Sequence, residues 1–150
     1  METKTFLEKV LSGSGNYCVF AARPSDGKLI QKFYDTISAV IDAAYGLDSN
    51  GYDAYFALST FEEPSSRKVD NVKELNSFFL DLDCGPSKDY PDQSSAMVAL
   101  RTFCATTGLP RPLMINSGRG IHAYWILDEA AGIDNWLPVA DKLQRTCAEH

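Results

Sequence analysis

The chain is poor in histidine: His122 and His150 are its only two, so metal centres built from several imidazoles, the paired-histidine relaxase type included, are disfavoured. It has no CxxC pair. Cys18, Cys84, Cys104 and Cys147 lie far apart, with no histidine spaced as a zinc ligand, and read most simply as free thiols in a reducing compartment. Positive charge is in deficit, 14 basic against 20 acidic residues for a net charge of −6, so no global field draws the chain to phosphates or anionic lipid. Any contact with nucleic acid has to be local. Long apolar runs are missing as well. The stretch from Ile37 to Tyr45 is broken by Ser38 and Asp42 and falls short of the roughly 20 residues that span a bilayer. The first ten residues lack the apolar core of a signal peptide. These absences lead us to expect a soluble, cytoplasmic protein with no membrane partner. A phosphate-binding P-loop is absent, and Ser12-Gly-Ser-Gly15 precedes a strand and lacks a dinucleotide-binding context.

What the chain does have is material for a core, with 45% hydrophobic and 11% aromatic residues in a length of 150 that suits a single domain over 1–150. Phe6, Leu7, Val10 and Leu11 predict a short helix over Lys4 to Leu11, and Tyr17 to Ala22 reads as a buried strand closed by Arg23-Pro-Ser-Asp-Gly27. Ile30, Phe33, Tyr34, Ile37, Val40, Ile41 and Tyr45 form one stripe at spacings of three and four, which predicts a helix from Ile30 to Tyr45 with Gly46 at its C-cap. Strands are expected over Tyr52 to Phe61 and Asn76 to Asp83, with an irregular polar stretch between them. A helix over Ser94 to Thr107 ends at Gly108. Strands Pro112 to Asn116 and Ile121 to Leu127 make a hairpin, and a last helix begins at Asn135. This order, β-α-β-β-α-β-β-α, argues for an α+β (mixed α/β) fold with one mixed sheet and helices packed mainly on one side. The final helix stops without a capping glycine or proline, so we expect the chain to be a fragment truncated at its C-terminal end.

Two clusters carry chemistry. In Phe78 to Asp83 the strand period of two puts Phe78, Leu80 and Leu82 on one face and Phe79, Asp81 and Asp83 on the other. Same-face neighbours lie about 6.5–7 Å apart, and water or a cation relieves their repulsion. Oxygen-only ligands favour a hard ion such as Mg2+ or Mn2+. The residues alone leave open a plain alternative, in which Asp81 sits on a wetted face and Asp83 merely begins the turn at Gly85. In the second cluster, Asn116-Ser-Gly-Arg-Gly-Ile-His122, glycines let backbone amides approach an anion and Arg119 can bridge two phosphate oxygens. His122, Tyr124 and Ile126 share a face, which we expect to be the face of the acids. The alternative is an exposed arginine on a glycine hairpin with a half-buried histidine.

Taken together, Phe78-Phe-Leu-Asp-Leu-Asp83 and, about 35 residues on, Ser117-Gly-Arg-Gly-Ile-His-Ala-Tyr-Trp125 resemble the archaeo-eukaryotic primase (AEP) superfamily, and within it the primase-polymerase domains of phage and plasmid replication proteins. The likeness covers roughly residues 50–150. It implies an RRM-like (ferredoxin-like) catalytic core, of which this chain is the N-terminal part, and a DNA primase or polymerase acting as a nucleotidyltransferase in DNA replication. It implies catalytic acids Asp81 and Asp83 binding divalent Mg2+ or Mn2+, and Ser117, Arg119 and His122 contacting the triphosphate of an incoming nucleotide. Arg67, Lys68 and Asn71, in Ser65-Ser-Arg-Lys-Val-Asp-Asn71, match segments that lie near the nucleotide. The partners implied are a single-stranded DNA template, nucleoside triphosphates and, from the family alone, a replicative helicase, fused or separate. The third metal-binding acid of the family has no good counterpart among Asp128, Asp134 and Asp141, and we expect it beyond His150. With a net charge of −6, the template would meet a modest patch such as Arg67, Lys68, Arg111 and Arg119. Two rivals stand beside this reading: a metal-dependent nuclease or phosphodiesterase, and a non-catalytic ferredoxin-like nucleotide- or nucleic-acid-binding module.

Overall fold

The structure, a computed structural model, describes residues 1–150, which form two compact units. The first, Met1–Asn76 with Asp128–Trp136, opens with helix α1 (Thr3–Val10) and strand β1 (Tyr17–Ala22), both where the apolar pattern puts them. The next segment corrects the expected helix from Ile30 to Tyr45. The chain reverses at Arg23, whose backbone oxygen accepts from the Gly27 amide at 2.8 Å, with Gly27 at a φ of +71°. That turn lays β2 (Leu29–Tyr34) antiparallel on β1, pairing Phe20 with Gln31. Helix α2 (Ile37–Ser49) starts only after Thr36, whose hydroxyl accepts from the Ala39 amide and caps it. The apolar stripe was therefore a helix stripe only from Ile37 onward, and the hairpin turn decided the rest. Gly46 lies inside α2 and Asn50 is the C-cap, a second correction.

The expected strand from Tyr52 to Phe61 is two strands. β3 (Asp53–Phe56) pairs with β1, completing an antiparallel sheet in the order β2-β1-β3. The chain then leaves that sheet, and β4 (Ser59–Phe61) pairs with the start of β5 (Val72–Asp83) across a bulge. Between them a 3-10 turn, Val69–Asn71, ends the polar stretch. The core of this unit includes Val10, Val19, Ala21, Val40 and Phe61, all at 2% exposure or less. Phe6 packs edge-on against Phe56, and Phe33 against Phe61.

The second unit, Ser77–Leu127 with Leu137–His150, holds the rest of β5, α3 (Gln93–Thr107), β6 (Leu113–Asn116), most of β7 (Gly120–Ala131) and most of α4 (Ile133–Glu149). Asp92 caps α3 by accepting from the Ser95 amide at 2.7 Å, and Gly108 ends it at a φ of +74°. The strand order here is β5-β7-β6, with β6 and β7 an antiparallel hairpin in which Asn116 faces Ile121. Leu82 lies by Gly120 and Phe79 by Tyr124, so β5 and β7 also run in opposite directions. One sheet face buries Leu82, Ile121, Ala123 and Trp125 against Ala96, Leu100, Phe103 and Cys104 of α3. The α+β class stands, but the strands divide between two sheets where one mixed sheet was expected, because β3 and β4 take different partners. No helix is long and apolar enough to cross a membrane.

Gly120 has no room for a side chain, since a Cβ there would lie 2.1 Å from the Leu82 backbone oxygen. Gly120→Ala is expected to lower stability by about 1–3 kcal/mol, the cost of forcing two backbones apart. Gly46→Ala, in open space within α2, is expected to raise it by about 0.5–1 kcal/mol. Urea unfolding of the two variants against wild type checks both signs.

Candidate active site

The site is a strand and a hairpin held side by side. Along β5, Phe79, Asp81 and Asp83 are exposed while Leu82 is buried, so the two acids do share the solvent face. The β6–β7 hairpin reaches the end of this strand through a hydrogen bond from the Cys84 amide to the Arg119 carbonyl at 2.9 Å, and through the glycine contact at Leu82. Within the turn, the Ser117 amide donates to the Gly120 carbonyl and the Gly118 amide to Asn116 Oδ1, with Gly118 at a φ of +86°. Gln93, at the start of α3, ties the turn down by donating to Asn116 Oδ1 at 2.8 Å and the Gly120 carbonyl at 3.2 Å.

His122 emerges on the acid face, its Nε2 lying 3.6 Å from Asp81 Oδ1. Its ring is set by neighbours that the sequence reading did not assign to the site. Phe79 meets His122 edge-on at 5.1 Å and Tyr124 at the same distance, tilted by 43°. The pair spaced at 79 and 81 and the pair at 122 and 124 are the legible signal for this cluster, since both follow the strand period. Ser117 and Arg119 are exposed at the turn, and Arg119 pairs with no carboxylate.

The charges are only partly balanced. Lys88, also absent from the expected site, binds Asp83 Oδ2 at 2.9 Å, and this bond raises the lysine's pKa. Burial, followed by the charge of Asp81, pushes the Tyr124 hydroxyl up to about 12. Burial also raises the Cys84 thiol, with Asp92, Asp83 and Asp81 adding to the effect, so this thiol resists becoming a nucleophile. A divalent cation such as Mg2+ fits the donor type: two half-exposed carboxylates on one face, with water and substrate phosphate left to complete the shell. No group of three or more His, Cys, Asp or Glu side chains is arranged to hold a metal.

Arg67, Lys68 and Asn71 belong to the first unit. The Asn71 amide is used up in bracing its own loop, donating to the Glu63 and Ser66 carbonyls and accepting from the Glu63 amide. Arg67 lies with Cζ 4.1 Å above the Phe20 ring and donates from Nε to Gln31 Oε1 at 2.6 Å. Lys68 is exposed and leads into the 3-10 turn.

No protein-family model matches the chain. A replication protein of Clostridium perfringens is 34% identical over 82 residues, which are 55% of this chain and 20% of that protein. Among solved structures, the AEP domain of the cyanophage S-2L primase-polymerase superposes with a TM-score of 0.63 at 19% identity, over 89% of this chain and 65% of that one. The chain thus spans about a fifth of the curated relative's length and just under two thirds of the solved domain's. At this identity the structural likeness speaks of fold alone: the chain has an α+β fold like that of the AEP domain of the cyanophage primase-polymerase.

Proposed function

We propose that residues 1–150 are the N-terminal part of a DNA primase-polymerase catalytic domain that carries out template-directed nucleotidyl transfer. The observation that carries this reading is the arrangement of Asp81 and Asp83 on one exposed strand face, His122 3.6 Å from the first, and the Ser117–Gly120 turn bonded to the end of that strand. The similarity to a replication protein and to a primase-polymerase fold supports it.

In this reading Asp81 and Asp83 hold Mg2+ or Mn2+, which would neutralise phosphate charge and polarise the attacking 3′ hydroxyl. The chain's own groups bind and orient the nucleotide. Arg119, unpaired and exposed, offers a planar fork to two phosphate oxygens. Ser117 adds a hydroxyl, and His122 presents an imidazole that the Phe79 edge keeps turned toward Asp81. Positioning and charge do the work of phosphoryl transfer, which asks for little covalent help from the protein. A further acid from outside residues 1–150 would complete the metal shell. Lys68 remains available for a phosphate contact, while Asn71 serves by keeping its loop in shape.

Asp81→Asn with Asp83→Asn, placed in the longest chain that contains this domain, is expected to reduce Mn2+-dependent nucleotide incorporation on single-stranded template at least a thousandfold, or about 4 kcal/mol. Incorporation that survives the double change would overturn the reading. Degradation of the strand without nucleoside triphosphates would instead identify a nuclease.

Lys88 competes with any cation for Asp83. Lys88→Gln is therefore expected to tighten Mn2+ binding by about two- to fivefold, the scale of an exposed ion pair, as followed by calorimetry. The field of Asp81 has its own readout: Asp81→Asn is expected to bring the tyrosinate transition of Tyr124 down from about 12, with burial still holding it above the ordinary value. Ultraviolet pH titration of the variant against wild type measures the shift.

A further inference from the structure

The β2-β1-β3 sheet has one open, aromatic face. Phe20 of β1 and Tyr55 of β3 are cross-strand partners, and their rings stack at 5.3 Å with only 14° between planes. Tyr55 is 50% exposed. The Arg67 guanidinium covers Phe20 at 4.1 Å and is steadied there by Gln31, the partner of Phe20 on the other neighbouring strand. Around these groups lies a cavity of about 410 Å³, completed by Ala22, Leu29 and other small or apolar residues. No carboxylate lines it, although acids outnumber bases in the chain as a whole.

Leu29 and Ile30 alone would suit an aliphatic side chain, but the same space also holds flat rings, a delocalised cation and a side-chain amide, which an aliphatic peptide would leave unused. Rings give sequence-tolerant stacking, a guanidinium stacks on bases and pairs with phosphate, and an amide reads a base edge. The occupant that uses all three is a nucleobase with its phosphate, and only an unpaired base has a free face to stack.

We propose that Phe20, Tyr55, Arg67 and Gln31 form a stacking site for an unpaired base of a single DNA strand. None of these residues is among the acids or in the hairpin. The proposal rests on the primase-polymerase reading only in naming DNA as the strand; the stacking chemistry stands on the rings themselves. It also narrows the two expectations for Arg67, a contact near the nucleotide and a place in the template patch, to the second, with a ring and an amide as its setting.

The test is strand binding by the 150-residue chain without divalent cation, followed by anisotropy of a labelled oligodeoxythymidylate and by the fluorescence of 2-aminopurine placed within such a strand. Wild type is expected to bind the strand in preference to duplex and to quench the 2-aminopurine. Tyr55→Ala is expected to weaken binding about tenfold and abolish the quenching, as loss of one stacked base would. Tyr55→Phe, which keeps the ring, is expected to retain both, and Arg67→Ala to weaken binding and flatten its salt dependence. Binding and quenching by Tyr55→Ala equal to wild type would overturn the proposal, as would a Tyr55→Phe loss as large as that of Tyr55→Ala. Because Tyr55 is half exposed, unchanged urea unfolding of the variants separates lost stacking from lost fold. The Asp81→Asn, Asp83→Asn double variant is expected to bind the strand as wild type does. If it binds the strand and also still incorporates nucleotide, the catalytic reading fails while the stacking site stands.

Discussion

The contact between the Leu82 backbone and Gly120 is the constraint on which the second unit's chemistry depends. A strand that carries acids and a turn that carries a serine, an arginine and a histidine are of no joint use unless their backbones meet closely. Here they meet as closely as a missing side chain permits, and the Cys84 to Arg119 hydrogen bond closes the end of the ladder. Such a bond contributes about 1 kcal/mol, so the bond alone does not fix the register. The fixing comes from shape, because any residue other than glycine would drive the strands apart and move His122 away from Asp81. Packing on the opposite face, where Ile121 and Ala123 sit with Leu82, selects the same register from below.

With the backbone fixed, the electrostatics follow from exposure. Asp81 and Asp83 are about half exposed, so water reaches both and neither requires a fixed protein partner. Lys88 satisfies Asp83 only in the loose manner of a solvent-screened surface ion pair. That leaves the acids exchangeable: a cation of higher charge can displace the lysine without breaking anything structural. Burial first and the field of the acids second raise the pKa values of their neighbours, the buried Tyr124 and the half-buried Cys84, and favour their neutral forms.

Much of this was legible before the structure, for reasons that differ by element. The acid face of β5 and the alternation of His122 and Tyr124 follow from a period of two that tertiary packing rarely disturbs. The end of helix α3 was written in Gly108, while its N-cap, Asp92, came only with the structure. The segment from Leu29 to Tyr34 was not, because Ile30, Phe33, Tyr34 and Ile37 satisfy helical spacing by coincidence and only the turn at Arg23–Lys28 tells which pattern governs. The glycines of the hairpin were found for an incomplete reason. Gly118 serves the turn and Gly120 serves the neighbouring strand, so the fold accounts for both before any anion does. Lys88 escaped notice, and the contact of Phe79 with His122 with it, because a partner five residues away around a proline turn, or on the neighbouring strand, is a property of the fold and not of the sequence window.

The distribution of positive charge carries the last step. A chain with net charge −6 cannot rely on a broad cationic surface, so on the proposed reading a phosphate contact would fall to a cation kept clear of the chain's own acids. Arg119 meets that condition by standing alone at the turn, and Arg67 by resting on a ring with an amide, not a carboxylate, as its partner. In strand binding of the proposed kind, few phosphate contacts would keep the counterion-release contribution small, and contacts that salt does not screen would supply the remainder. Ring stacking is such a contact. An acidic protein of this kind therefore gains more from a pair of stacked aromatic side chains on an open sheet than a basic one would, and Phe20 with Tyr55 supplies that arrangement at the place where Arg67 is held.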